Sequence, residues 1–154
     1  MDPERQISCF QELSDCMDGL HDYPFTLSEA TFDDRQKLWK GIFLRPMLET
    51  EDRVIHKGSF IYGMTECPVA EVTLIIGSVS NIKVIDDQGI DTYSFNRVER
   101  SDKGFRLEFN EAMVIEFGVE TINATYSETE LNDKTAVFKN LLIIESGPEI
   151  LQHL

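Results

Sequence analysis

Basic residues are scarce in this chain. Its 154 residues include 14 Lys and Arg against 28 Asp and Glu, a formal net charge of −14. Nucleic-acid phosphates and anionic membrane surfaces are both bound through clustered Lys and Arg. The charge therefore argues against nucleic-acid binding and against docking on a membrane. Hydrophobic residues are not scarce: at 42%, they suit a globular domain with a real core and exceed the content typical of disordered chains.

Long apolar runs and cysteine pairs are also missing. The conspicuous apolar run is Val72 to Ile76, far short of the roughly 20 residues that span a bilayer. The first residues, Met1-Asp2-Pro3-Glu4-Arg5, have neither the basic start nor the apolar stretch of a secretory signal. The three cysteines are an odd number without metal-ligand spacing. We therefore expect a cytoplasmic protein with reduced thiols.

Motifs for catalysis are absent as well. The three histidines form no His-Glu-x-x-His motif, and the chain has no Gly-x-Ser-x-Gly or Gly-rich phosphate loop. We expect no cofactor and no metal, and we favour a function other than catalysis. An enzyme stays open as an alternative, because any two of the 28 acidic residues could form the carboxylate pair of a hydrolase.

One segment has a strong helical pattern. At 100° per residue, the apolar side chains from Ile7 to Leu20 share one side of a helical wheel, and acidic side chains share the other. Asp2 is suited to cap this helix, Pro3 to its first position and Gly19 to its end. The pattern predicts an amphipathic helix over about residues 3–20.

From Pro24 onward the hydrophobic period changes to two. Phe105, Leu107 and Phe109 give the clearest alternation, and turn residues such as Asp86-Asp87-Gln88-Gly89 separate the short strands. We predict a mainly β fold, in which the N-terminal helix packs on an antiparallel meander of about eight to ten strands. The meander forms a sandwich or a partly closed barrel. We expect a single domain over residues 1–154, with a β-rich part at 24–146 and a short C-terminal tail at 147–154.

Three residues are candidates for binding: His21, Asp22 and Trp39. A His-Asp pair can ligate a metal or act as a base with its orienting carboxylate. The alternative is a corner between the helix and the first strand, with Asp22 accepting hydrogen bonds from backbone amides. Trp39, the single tryptophan, has lysines close on both sides. It is suited either to a partner or sugar site or to the core.

The residues around His21 carry a resemblance. Leu20-His21-Asp22 closes the helix and leads into an alternating strand, and a second strand surrounds Trp39. This arrangement resembles small bacterial all-β domains of unknown function, some of which are immunity proteins of toxin–immunity pairs. Their motif is an aromatic residue or leucine followed by His-Asp before the first strand, whereas Tyr23-Pro24 here replaces their small and acidic residues. The resemblance implies that His21 and Asp22 mark the fold rather than catalyse a reaction.

The acidic residues concentrate at the two ends of the chain. Residues 1–35 carry a net charge of −7 and residues 111–154 a net charge of −6. If these ends meet in space, they form an acidic face for a basic protein partner, such as a nuclease toxin blocked by its immunity protein. The alternatives are a β-barrel that carries a small apolar ligand and the hydrolase. Homo-oligomers could form through unpaired edge strands.

Overall fold

The fold is described by a computed structural model, which covers residues 4–58, 62–141, 144–145 and 147–153. These residues contain one α-helix, α1 (Phe10–Asp18), and two 3₁₀ turns, η1 (Leu27–Glu29) and η2 (Glu51–Arg53). The strands are β1 (Glu4–Ile7), β2 (Pro24–Thr26), β3 (Thr31–Asp33), β4 (Leu38–Pro46), β5 (Ile55–Gly58), β6 (Tyr62–Ile76), β7 (Asn81–Ile85), β8 (Thr92–Ser101), β9 (Gly104–Phe109), β10 (Val114–Gly118), β11 (Ala124–Leu141), β12 (Ile144–Glu145) and β13 (Glu149–Gln152). The prediction of a mainly β fold with an N-terminal helix is confirmed.

The strands form an open antiparallel path. Neighbouring strands follow the order β1-β11-β6-β4-β2-β8-β9-β10-β7, with β3 pairing β4, β5 pairing β6, and both β12 and β13 pairing β11. Across the described residues the path has two ends, β1 and β7, and it does not close into a barrel. The choice between a sandwich and a partly closed barrel stays a prediction. No helix in the described ranges has the length and apolar character needed to cross a membrane.

The described chain divides into two compact units. Unit 1 comprises Met1–Phe43 and Val72–Glu128, and unit 2 comprises Leu44–Glu71 and Thr129–Leu154. Over these ranges, unit 1 has 9 basic and 19 acidic residues, a net charge of −10, and unit 2 has 5 and 9, a net charge of −4. Three strands, β4, β6 and β11, contribute residues to both units. A single domain over residues 1–154 stays a prediction.

The N-terminal helix of unit 1 is shorter than the expected residues 3–20. Residues 4–7 form β1 instead, which pairs antiparallel with β11 from Glu4 opposite Ser127 to Ile7 opposite Ala124. The helix begins after Cys9, whose Sγ accepts a hydrogen bond from the backbone amide of Glu12 at 3.5 Å. The expected caps Asp2 and Pro3 lie outside the described residues. Pairing with a distant strand overrides the helical periodicity of residues 4–7.

Aromatic side chains fill the core of unit 1. Phe25 from β2 packs against Phe43 from β4 and Phe109 from β9, with ring centroids 5.0 and 4.8 Å apart. Phe95 from β8 meets Phe109 edge-on at 5.6 Å. The four rings are 0 to 3% exposed, and burial of each contributes about 1.5–3 kcal/mol. The buried face of α1 covers the same cluster through Leu13 and other apolar residues.

Unit 2 contains two departures from the expected strands. The alternating pattern from Val54 to Met64 predicts one continuous strand. Instead, β5 and β6 pair antiparallel with each other, with Gly58 opposite Gly63. Gly58 has a φ of +135°, which a residue with a Cβ rarely adopts. The expected C-terminal tail, residues 147–154, contains β13, which pairs with β11 over Lys134–Val137. Its backbone pairing, rather than apolar content, makes this segment a strand.

Candidate functional site

His21 and Asp22 form the corner between α1 and β2. The Asp22 backbone is left-handed, with a φ of +69°, and its amide donates to the carbonyl oxygen of Phe95 at 2.7 Å. His21 Nδ1 lies 2.8 Å from the carbonyl oxygen of Asn96, and His21 Nε2 lies 3.5 Å from Asp22 Oδ1. Both side chains are more than half exposed. Asp22 thus holds the corner through its own backbone amide, and the expected carboxylate bonds to backbone amides are not seen among the described residues.

A metal site at this corner gains no support from its surroundings. Across the described ranges, no group of three or more His, Cys, Asp or Glu side chains is placed to hold a metal ion. A binding role for His21 and Asp22 stays a prediction.

Trp39 lies in the core of unit 1, and only 3% of it is exposed. Its ring centroid is 6.3 Å from that of Phe25 and 5.0 Å from that of Phe117, which it meets edge-on. The indole folds along β4 over Gly41, where an added Cβ would overlap the ring. Within the described residues, no hydrogen bond or ring contact joins Trp39 to the His21–Asp22 corner. The three candidates therefore do not form one site.

Beside Trp39, an apolar cleft of about 280 Å³ opens to the surface of unit 1. Trp39 and Ile115 line its interior, and Phe32 and Val84 line its mouth; Thr31 is the sole polar residue among those that line it. Phe32 is 38% exposed and Val84 is 46% exposed. In the described part of unit 1, three large hydrophobic side chains are at least 38% exposed, and two of them, Phe32 and Val84, line this cleft. We call it the Trp39 cleft.

Strand β1, helix α1 and the first part of β11 all carry acidic side chains. The acidic surface, as we define it, consists of Glu4 on β1, Glu12, Asp15 and Asp18 on α1, and Glu128 on β11. All belong to unit 1. Because β1 pairs with β11 and Glu4 lies opposite Ser127, one acidic residue from each end of the chain, Glu4 and Glu128, comes close to the other; whether the two acidic ends form one face stays a prediction.

Nearby charges affect the pKa of the Cys16 thiol, which lies in α1. Burial raises the pKa of Cys16, the positive charge of Arg5 opposes that rise, and the negative charge of Glu128 adds to it. Arg5 and Glu128 therefore lie within electrostatic range of the helix. The carboxylates of Glu12 and Asp18 are exposed and have no ion-pair partner among the described residues. Glu12 and Asp18 therefore present negative charge to solvent, and Arg5 adds a positive charge to the same surface.

A polar groove of about 440 Å³ lies on strands β7, β8, β9 and β10 of unit 1, and Lys83, Arg106 and Glu116 are among the residues that line it. Charges alternate across these four strands, because Glu116 lies opposite both Lys83 and Arg106, and Arg106 lies opposite Glu99. Arg106 Nε also donates to Glu108 Oε2 at 2.6 Å. Alternating cross-strand charges stabilise a solvated sheet face. We assign this groove a structural role.

The cysteines are unpaired in the structure, as expected. Cys9 is exposed, whereas Cys16 and Cys67 are buried. Burial raises the pKa of the Cys67 thiol, and a backbone hydrogen bond involving Met47 opposes that rise. A buried thiol with a raised pKa is a poor nucleophile. Cys67 lines a small cavity of unit 2, and its raised pKa sets it apart from the low-pKa thiols of reactive cysteines.

Two residues of the Trp39 cleft had no signal in the sequence. Val84 belongs to a short apolar run that is typical of a core strand, and Phe32 is a single aromatic residue between Thr31 and Asp33; neither pattern distinguishes an exposed side chain from a buried one. For Val84 the strand order supplies the missing information, because β7 is the end of the hydrogen-bonded path.

Comparison of the chain with protein-family models, with curated proteins and with solved structures finds no match to any of them.

Proposed function

We propose that this chain is a non-enzymatic binding domain whose acidic surface docks a basic protein partner, in the manner of an immunity protein that inhibits a toxin. The observation that carries the proposal is the pairing of β1 with β11, which brings together acidic residues from distant parts of the chain. In keeping with the resemblance and the composition, we place this activity in a bacterial cytoplasm.

Long-range electrostatics supports this function. Unit 1 has a net charge of −10, so a basic protein is attracted before contact is made. Complementary charge raises association rates by about 10- to 1,000-fold at low salt. At physiological ionic strength the attraction is screened beyond about 8 Å. The binding we propose is therefore fast and sensitive to salt.

Local geometry favours α1 as the central element of the acidic surface. Leu13, Cys16 and Met17 are buried on one side of the helix, which fixes its orientation. Glu12 and Asp18 lie on the exposed side, so their carboxylates can meet Lys or Arg side chains without rearrangement of the core. A pre-organised charged surface loses little conformational freedom on binding.

A charge-reversal pair tests the proposal. We expect E12K/D18K to reduce the association rate with the basic partner by about tenfold at low salt. Effects on the helix dipole oppose each other, since a lysine is unfavourable at Glu12 near the helix start and favourable at Asp18 near its end. The matched control is E51K/D52K, which changes the same number of charges on the exposed turn η2 in unit 2.

The partner is first captured from the native lysate at low and at high salt and then purified. Stopped-flow mixing measures its association rate with the wild type, with E12K/D18K and with E51K/D52K. Failure to recover any basic protein at either salt contradicts the proposal. Equal rates for E12K/D18K and E51K/D52K would assign the effect to net charge alone and remove α1 from the docking surface.

The apolar-ligand carrier has one observation in its favour, which is the Trp39 cleft. Its volume of about 280 Å³ lies slightly below the range of about 300–1,000 Å³ typical of small-molecule sites. Across the residues that the structure describes, the strand path is open and encloses no barrel interior. Protein binding therefore remains the function that we propose, and the hydrolase stays a prediction without an assigned site.

A further inference from the structure

Strand β7 is an edge of the sheet in unit 1. In the part of the chain that the structure describes, β7 pairs with β10 and with no other strand. One side of its backbone therefore presents N–H and C=O groups without strand partners. Such an edge is a template for an additional strand.

The same edge borders the Trp39 cleft. Ile82 lies opposite Phe117 and Val84 lies opposite Ile115, so Ile82 and Val84 share the core-facing side of β7, and both line the cleft. Side chains of a strand alternate between its two faces. A strand added beside β7 would thus place every second side chain at the mouth of the cleft, above Trp39.

Charge decides which occupant suits this edge. Asp86 and Asp87 directly follow β7, whereas the acidic residues near Phe32 are balanced by basic neighbours, as Lys37 pairs with Asp34 at 2.8 Å. The basic residue of β7, Lys83, lies on the opposite face, where it pairs in register with Glu116. A second copy of the chain would bring another unit 1, with its net charge of −10, against this edge, and juxtaposed like charges oppose association. A basic segment is complementary to it.

We propose that β7 and the Trp39 cleft together bind an extended segment of a protein partner by strand addition. The segment is apolar at alternate positions, which enter the cleft, and basic at its flanks, one of which meets Asp86 and Asp87. Main-chain hydrogen bonds to β7 supply affinity, and the apolar side chains supply specificity. The basic character of the partner rests on the function proposed above; the site itself rests on the edge and the cleft.

A synthetic peptide tests the site directly. The probe is Lys-Lys-Val-Thr-Phe-Thr-Val-Lys-Lys, and its control is Lys-Lys-Thr-Val-Val-Phe-Thr-Lys-Lys, which has the same composition and charge without the alternation. Neither contains tryptophan, so the emission of Trp39, the single tryptophan of the chain, reports occupancy of the cleft. We expect the alternating peptide to shift this emission and to bind at least about tenfold more tightly than its control.

Backbone pairing has its own control. Two further peptides are N-methylated at alternate amides, one at Val and Phe and the other at Thr. Successive residues of a strand direct their amides to opposite sides, so only one of the two sets faces β7. We expect one methylated peptide to lose binding and the other to retain it. Equal binding by both would exclude strand addition.

Val84→Lys and Ile90→Lys form a matched pair of protein variants. Both residues are exposed, at 46% and 52%, and both changes add one positive charge to unit 1. Val84 lines the cleft, whereas Ile90 does not line it. We expect V84K to weaken the alternating peptide about tenfold and I90K to change its affinity by less than threefold.

The outcomes separate this site from the acidic surface. Equal affinity for the alternating and control peptides, undiminished binding by V84K, or no binding of either peptide at millimolar concentration overturns the strand-addition site. A dimer in sedimentation velocity that V84K disrupts would also overturn it, because a second copy would then occupy the edge. If the basic partner is captured and depends on Glu12 and Asp18 while the peptide fails, only this inference falls.

Discussion

A single methyl group added at Gly41 tests how Trp39 is held. Residues at i and i+2 of a strand share a face, so Trp39 and Gly41 lie side by side on the buried face of β4. An added Cβ would lie 2.7 Å from Cζ3 and 3.0 Å from Cζ2 of the indole and would overlap Cη2. Because the ring also packs against Phe25 and Phe117, it has no free space on those sides.

Gly41→Ala is therefore expected to overpack the core of unit 1 and to lower the free energy of unfolding by about 1–3 kcal/mol. For a chain of this length, each kcal/mol corresponds to about 2–4 °C in Tm. Urea denaturation followed by Trp39 emission measures the loss, and the shifted indole should also change the native emission spectrum. The matched control is Gly19→Ala, since an added Cβ there meets nothing within 4 Å and the φ is −68°.

A double mutant identifies the cause of the loss. Phenylalanine has a smaller ring, so W39F should remove most of the overlap and make the further change G41A less costly than it is in the wild type. Circular dichroism replaces fluorescence in this cycle because W39F removes the reporter. The explanation is refuted if G41A unfolds at the same urea concentration as the wild type with an unchanged spectrum. Additive losses in the cycle would place the cost elsewhere than in the contact with Trp39.

Two further predictions concern titration and labelling. Hydrogen bonds from Arg45 at 2.8 and 3.0 Å hold the pKa of Glu49 below its usual value of 4.5. The stability that this ion pair contributes is therefore present above that pH and is lost as the pH falls through the lowered pKa. In a series of denaturation measurements between pH 5 and pH 3, E49Q should make the free energy of unfolding depend less on pH, and an unchanged dependence contradicts this. In native protein at pH 8, Cys9 should react with a thiol reagent first, while Cys16 and Cys67 react only after denaturant is added; rapid reaction of all three would show that the buried thiols are accessible.

Strands with strict alternation could be predicted from the sequence because period and burial agree there. Phe105, Leu107 and Phe109 are buried as their spacing indicates, and the turn at Asp86 to Gly89 lies between β7 and β8 with Gly89 at a φ of +65°. In such segments the local pattern and the tertiary environment require the same conformation. The face of α1 that contains Leu13 and Met17 is predicted for the same reason.

Segments whose structure depends on a distant partner could not be predicted. Ser127 to Lys134 is polar and contains four charged residues, which is typical of a loop, yet it belongs to β11. Residues 4–7 continue a helical pattern but form β1 because β11 lies alongside them. Pairing between backbones leaves little trace in side-chain hydrophobicity when both strand faces are solvated.

The same difference between local patterns and long-range pairing decides how much of the candidate site could be predicted from the sequence. Its uniqueness and its lysine neighbours single out Trp39 in the sequence. The structure places it in the core, in the wall of the Trp39 cleft, and its binding role stays a prediction. The Trp39 cleft depends on Val84, on the strand at one end of the path, and on Phe32, on β3, which pairs with β4 beside the path. Strand order is a property of the whole chain, so no local pattern announces such an edge.

The interleaving of the two units has a consequence for biosynthesis. Unit 1 needs residues up to 128 before it is complete, and unit 2 interrupts it with residues 44–71. During translation, β1 is synthesised early, and its partner strand β11 is synthesised more than a hundred residues later. Long sequence separation between partners slows folding and prolongs the exposure of unpaired strands. A nascent chain of this topology begins unit 2 before unit 1 is complete, and β1 lacks its partner strand until β11 has been synthesised.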